Sequence, residues 1–287
     1  MTNDESPLAD TEVHYLSSLS VGEDFKLFIG HCGDSSEPAD AVPTLYLTDA
    51  NGFFGLAVDI VRSMQLAAHL PPMLVVGIGY RTGTLDQTIV ARARDLTPSN
   101  DAKFTKLYPD QSNLGGASSF LEFLGNELIP WVAARFPVHP RERAFFGHSL
   151  GGLFGTYTLL RAGDTFTRYI ISSPSLWWHD HIIRSVERSY AASHDDLCAR
   201  VFFGIGSEET HDGRRREAAN QPEDAQRIAT AWYIDMVDDL RRFVDQLKQR
   251  RYPSLHLTSA VFPDEFHITV PQLTLSRGLR TLFDTPR

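Results

Sequence analysis

The sequence predicts an α/β domain whose mostly parallel sheet is covered by helices on both faces and carries an antiparallel edge at its amino end. Six apolar runs of strand length, at 43–47, 73–79, 143–147, 169–172, 201–206 and 255–262, recur along the chain. Between most of them lie helix-like patterns, at 53–70, 119–136, 150–162, 179–192 and 222–250. Strands that alternate with helices need crossovers, and crossovers make parallel neighbours. Two earlier strand-like stretches, around 14–18 and 25–30, have no helix between them and so pair antiparallel. The 287 residues fit one large domain over 11–287, preceded by a polar tail at 1–10.

Each element has local signals. Ser119 followed by Glu122 reads as a capping box that opens the second helix. Pro137 and Pro140 stop that helix before the next strand. In the last pattern Trp232, Met236, Leu240, Phe243 and Leu247 recur every three or four residues, the spacing of a buried helix face. The polar stretch 210–221, with Arg214-Arg215-Arg216, reads as an excursion from the sheet, and 207–222 as a possible lid. No internal repeat is present.

Composition removes several function classes. The formal charge is −9, which disfavours a nucleic-acid surface and adhesion to anionic membranes. No run approaches the roughly 18 apolar residues of a membrane span. The amino terminus is polar and acidic, without the basic and apolar regions of a secretory signal, so a cytoplasmic location is expected. Cys32 and Cys198 make no disulfide framework and are expected as buried thiols.

The chemistry concentrates at Gly147-His148-Ser149-Leu150-Gly151-Gly152, between a strand-like run and a helix rich in small residues. A serine on a strand-to-helix turn this sharp is pushed outward, and glycines on either side remove the Cβ atoms that would clash. The Leu150 N–H then lies at a helix N-terminus, placed to stabilise a developing oxyanion. A serine nucleophile needs a base, and in sheets of this type the acid and then the histidine follow it in sequence. His267, in the polar loop Pro263-Asp264-Glu265-Phe266-His267 after the last strand, suits the base, whereas His256 alternates inside that strand. Ser207-Glu208-Glu209 leaves the preceding strand, so Glu209 or alternatively Glu208 orients the histidine, with Asp212 more remote. Asn51, in the loop after the 43–47 strand, supplies the second oxyanion amide, and Asp49 fixes the turn there.

These stretches resemble the esterase family of α/β hydrolases, especially its siderophore-esterase-like members, over nearly the whole chain. The likeness rests on Leu45-Tyr46-Leu47-Thr48-Asp49, Val76-Gly77-Ile78-Gly79-Tyr80, Arg92-Ala93-Arg94-Asp95-Leu96-Thr97-Pro98 and Gly115-Gly116-Ala117 with Phe120-Leu121-Glu122-Phe123-Leu124. It continues through 147–154, Ser173-Pro174-Ser175-Leu176-Trp177-Trp178 and Phe266-His267. The resemblance implies the α/β-hydrolase fold, Ser149 as nucleophile, His267 as base, Leu150 and Asn51 as oxyanion donors, and Glu209, three residues after the strand-ending Gly206, as acid. The chain departs from the family at Asp49-Ala50 (usually Asp-Gly) and at Asp95-Leu96 (commonly Asp-Tyr), positions that bear on the pocket wall.

On the substrate side, Trp177 and Trp178 either wall an acyl or aryl pocket or pack in the core. Arg92 matches a position near the ligand in siderophore-cleaving relatives, or else pairs locally with Asp95. His148 joins these as a substrate-binding candidate. Arg81, Arg92, Arg94 and Arg214 to Arg216 are the cations available to steer an anionic substrate. His179-Asp180-His181 and His211-Asp212 do not have the spacing that turns ligands toward one metal, so no metal and no cofactor is expected. The resulting expectation is a serine esterase that cleaves a small-molecule ester through an acyl-enzyme. An acyltransferase and a non-catalytic binding protein of this fold are the alternatives.

Overall fold

The computed structural model describes residues 8–33, 41–107, 110, 113–219, 222, 223, 226 and 234–283. Its strands are β1 (Thr11–Ser17), β2 (Asp24–Cys32), β3 (Val42–Leu47), β4 (Met73–Tyr80), β5 (Val138–His148), β6 (Arg168–Ser172), β7 (Ala199–Gly206) and β8 (Leu255–Phe262). They form one sheet in the order β1-β2-β4-β3-β5-β6-β7-β8. The pairs β1–β2 and β2–β4 are antiparallel, and every pair from β4 to β8 is parallel. This is the α/β-hydrolase fold, with the antiparallel amino edge expected from the missing helix between β1 and β2.

Central strands are apolar on both faces because helices cover both. Successive residues of one strand feed opposite layers. Tyr46 and Phe145 join one core with Phe120, Leu153, Phe154, Ile183 and Phe243. Leu45, Leu47, Ala144 and Phe146 join the other with Phe54, Val58, Val61, Leu275 and Leu279. The second layer is thus built by α1 (Ala50–Leu66) and α10 (Pro271–Phe283). The first is built by α2 (Leu85–Leu96), α3 (Ala102–Leu107), α4 (Ala117–Phe123), α6 (Leu150–Arg161), α7 (Trp178–Ala191) and α9 (Met236–Arg250). Among the described residues no helix is long and apolar enough to cross a membrane.

Several expectations need correction. Ser119 lies inside α4 rather than capping it. The helix starts at Ala117 because the Gly116 and Ala117 amides donate to Arg94 O and Thr97 O (2.8 and 3.1 Å), so the end of α2 satisfies them. A π turn at Leu124–Leu128 links α4 to α5 (Ile129–Ala133), immediately ahead of Pro130, which has no amide to donate. Pro137 does end this helical stretch, but Pro140 belongs to β5. The helix expected over 222–250 is seen from Met236, where the Asp235 side chain accepts from the Asp238 amide at 2.9 Å. Met236, Leu240, Phe243 and Leu247 are buried as expected, whereas Trp232 lies outside the described residues, as does 1–7 of the expected tail. Of the two thiols, Cys32 is buried and Cys198 exposed. The helices α2, α3 and α10 and the short α8 (His211–Ala218) were not anticipated.

Candidate active site

Ser149 joins β5 to α6 at φ 60°, ψ −116°, a conformation L-residues avoid. Backbone bonds hold it there. The Ser149 amide donates to Ser172 O (3.0 Å), and its carbonyl accepts from the Leu153 and Ser175 amides (2.9 and 3.1 Å). The flanking glycines are steric requirements, since a Cβ on Gly147 would press into the Gly151 carbonyl and one on Gly151 into Thr48 Oγ1. Gly147→Ala is therefore expected to destabilise the fold by about 2–3 kcal/mol through overpacking against backbone, measurable as a lower urea midpoint.

The loops after β7 and β8 are tied together. Ser207 N donates to Phe262 O (2.8 Å), Glu208 N to Glu265 O (3.0 Å) and Asp264 N to Ser207 Oγ (2.9 Å). This brings Glu209 and His267 onto one base beside the serine. His267 Nε2 is 3.0 Å from Ser149 Oγ, and His267 Nδ1 is 2.6 Å from Glu209 Oε2. Glu209 is only 1% exposed, and its other oxygen accepts from Ser173 Oγ (2.6 Å) and the Gly206 amide (2.8 Å). Glu208 instead pairs with Arg216 at the surface. Of the two carboxylates that the sequence leaves open, Glu209 alone meets the histidine. Glu208→Gln should accordingly leave ester turnover near wild type, a result steady-state kinetics can check.

Leu150 opens α6 and Asn51 lies in the first turn of α1, so both amides belong to helix turns whose N–H groups have no acceptor within the helix. The Asn51 side chain fastens α1 to the end of β4, donating to Tyr80 O (3.1 Å) and accepting from Tyr80 N (2.7 Å). Asp49 takes a left-handed conformation (φ 57°) just before α1, as a turn-fixing residue should, and holds Arg92 through two bonds of 2.7 and 2.9 Å.

Residues 20–239 match the family model described as "Putative esterase". The chain belongs to this esterase family. It is 28% identical to ferri-bacillibactin esterase BesA of Bacillus subtilis, over 97% of this chain and 91% of that one. It is 30% identical to the siderophore triacetylfusarinine C esterase of Aspergillus fumigatus, over 97% and 94% respectively. Siderophore hydrolase EstB from Aspergillus nidulans superposes with a TM-score of 0.78 at 26% identity, covering 98% of this chain and 99% of that one. The protein is an esterase.

Two clefts of this esterase meet at Ser149 and His267. One, of about 260 Å³, is bordered by Trp177, Arg214, Glu217 and Met236. The other, of about 570 Å³, is bordered by Phe53, Leu85, Ile89, Arg92 and His148. Ile268 lines both and is 73% exposed. The two tryptophans separate. Trp177 borders the smaller cleft, while Trp178 is fully buried, donates from Nε1 to Ser99 O (3.1 Å) and packs on Phe104. Trp178 is thus a core residue and does not touch the cleft, a correction to its candidate binding role.

Arg92 pairs with Asp49 and not with Asp95, whose carboxylate binds Arg94 (2.7 and 2.9 Å). Burial opposes the Arg92 charge, but Asp49 more than offsets it and raises its pKa. The arginines do not converge. Arg81 pairs with Asp24, Arg94 with Asp95 and Glu23, and Arg216 with Glu208, while Arg92 borders the larger and Arg214 the smaller of the two clefts at Ser149. Ser173, which holds Glu209 from a left-handed conformation (φ 41°), and Ile268 were not anticipated as site residues.

Proposed function

We propose that the esterase forms an acyl-enzyme on Ser149, with His267 as base and Glu209 as its orienting acid, and that its substrate is a siderophore ester. The observation that carries the mechanism is the line Glu209–His267–Ser149, with contacts of 2.6 and 3.0 Å. Glu209 accepts a hydrogen bond from the His267 Nδ1–H, which keeps the ring proton at Nδ1 and leaves Nε2 as the bare nitrogen facing the hydroxyl. As Ser149 Oγ attacks the ester carbonyl, Nε2 takes its proton. The tetrahedral oxyanion is held by the Leu150 and Asn51 amides, whose helix ends favour negative charge. His267 then protonates the departing alkoxide, and water repeats the sequence to release the acid.

The siderophore reading rests on relatives that cleave ferri-bacillibactin and triacetylfusarinine C by name. The clefts on two sides of the serine also suit an ester with substantial groups on both its acyl and alcohol sides. Purified protein offered a trilactone siderophore, a simple acyl ester and an aryl ester should cleave the trilactone with the highest kcat/KM. Failure to open the trilactone while the simple esters are cleaved would remove the siderophore reading. A fluorophosphonate should label Ser149; a folded protein that resists it would remove the acyl-enzyme mechanism.

A further inference from the structure

We infer that His148, the residue between Gly147 and the serine, is a positioning residue that seats the His267 imidazole. This rests on the reading of Ser149 and His267 as nucleophile and base. Two hydrogen bonds, at Nδ1 and Nε2, fix the edge of the His267 ring, and its tilt about the line joining them is otherwise restrained only by the side chain's own stem. The ring sits on a loop, and its side chain is 26% exposed. A third contact supplies what the hydrogen bonds lack. The His148 ring lies against it with centroids 4.5 Å apart and planes inclined by 41°.

His148 is itself fixed. It is 5% exposed, and Phe53 meets its ring edge-on at 5.8 Å. Its Nδ1 lies 3.1 Å from the hydroxyl of the fully buried Ser172. The Ser172 carbonyl in turn accepts the Ser149 amide at 3.0 Å. One residue at the end of β6 therefore touches both sides of the site, the serine directly and His148 through its hydroxyl, while the His148 ring itself seats the imidazole. Burial, and then the neighbouring His267 and Arg92, hold the His148 pKa well below the ordinary imidazole range. The ring behind the base thus stays uncharged when His267 takes the serine proton. Its Nε2 has no hydrogen-bond partner among the described residues, so the ring contact with His267 does not compete with a bond at that nitrogen.

Three substitutions separate this role from a contribution to stability alone. His148→Phe keeps a ring and loses the bond to Ser172. His148→Asn keeps a polar group for Ser172 and loses the ring. His148→Ala loses both. With a p-nitrophenyl ester, the Asn and Ala variants are expected to lose about 10- to 100-fold in kcat with KM within about twofold of wild type, the scale set by a misplaced catalytic group. The Phe variant should retain most of kcat even though the Ser172 hydroxyl loses its partner and the protein melts at a lower temperature. A kcat that simply follows melting temperature, or an Asn variant as active as wild type, would overturn the inference. If the Ala variant does not fold, the contrast between Phe and Asn decides. Ser149→Ala run alongside keeps the two readings apart: turnover surviving in that variant would remove the nucleophile itself, whatever the His148 series shows.

Discussion

Ser149→Ala is expected to lower kcat for a p-nitrophenyl ester by about 10⁴- to 10⁶-fold, the scale found when a nucleophile is removed from a cooperating set. The fold should survive. The three hydrogen bonds that hold the elbow all belong to the Ser149 backbone, and alanine keeps each of them. The strained φ of 60° is as unfavourable for alanine as for serine, so the substitution neither relieves nor adds to it. What disappears is one hydroxyl and its 3.0 Å contact with His267 Nε2. The residual rate would come from the oxyanion amides and from binding alone. The decisive measurement pairs initial rates with a melting curve: wild-type turnover in a variant that melts normally would show that another group attacks the ester.

Much of the fold is legible because buried parallel strands write themselves as continuous apolar runs, and all six expected after the amino edge appear as β3 to β8. The helices missed have reasons. Helix α2 carries a capping signal that could have found it. The Thr84 hydroxyl accepts from the Gln87 amide (3.3 Å), and the Gln87 side chain reaches back to the Gly83 amide (2.9 Å). Helix α10 opens on Pro271, a residue suited to a first turn, and buries Leu275, Leu279 and Leu282 at spacings of four and three. Ser119 misled for the opposite reason. Its capping pattern is real in sequence, but the end of α2 offers carbonyls to Gly116 and Ala117, and tertiary acceptors outrank a local cap.

The site was legible where its position follows from topology. A serine after β5 and a histidine after β8 leave the same edge of the sheet because β5 to β8 run parallel, and the loop after β8 reaches back across β7 and β6 to the serine. Which of two adjacent glutamates turns inward was not, because a one-residue step in a loop carries no periodic signal. Packing decides it: Glu208 finds Arg216 outside, and Glu209 finds three donors inside. The two tryptophans divide for the same kind of reason, since Trp178 has the Ser99 carbonyl and the Phe104 ring to bury it and its neighbour faces the cleft. Missing α2 also hid Leu85 and Ile89, which wall the larger cleft.

Glu209→Gln tests the inward carboxylate most sharply, and the expected result is a loss of about 10³- to 10⁴-fold in kcat with little change in stability. Glu209 receives three donors on two oxygens: the Gly206 amide and the Ser173 hydroxyl on one, and His267 Nδ1 on the other. The Gly206 N–H is a backbone donor and cannot turn away. A glutamine must keep its carbonyl there, which aims its NH₂ group at His267. That group donates to Nδ1 and so moves the imidazole proton to Nε2, where it faces Ser149 and leaves no base for the hydroxyl. The fold should tolerate the change because the neutral amide escapes the desolvation cost of a carboxylate that is 1% exposed. Glu209→Asp retains an acceptor-only group, shortened by one methylene, and should lose less activity than the glutamine variant even though its contacts are poorer. An aspartate variant weaker than the glutamine one would mean that packing at this position, and not the proton on His267, sets the rate.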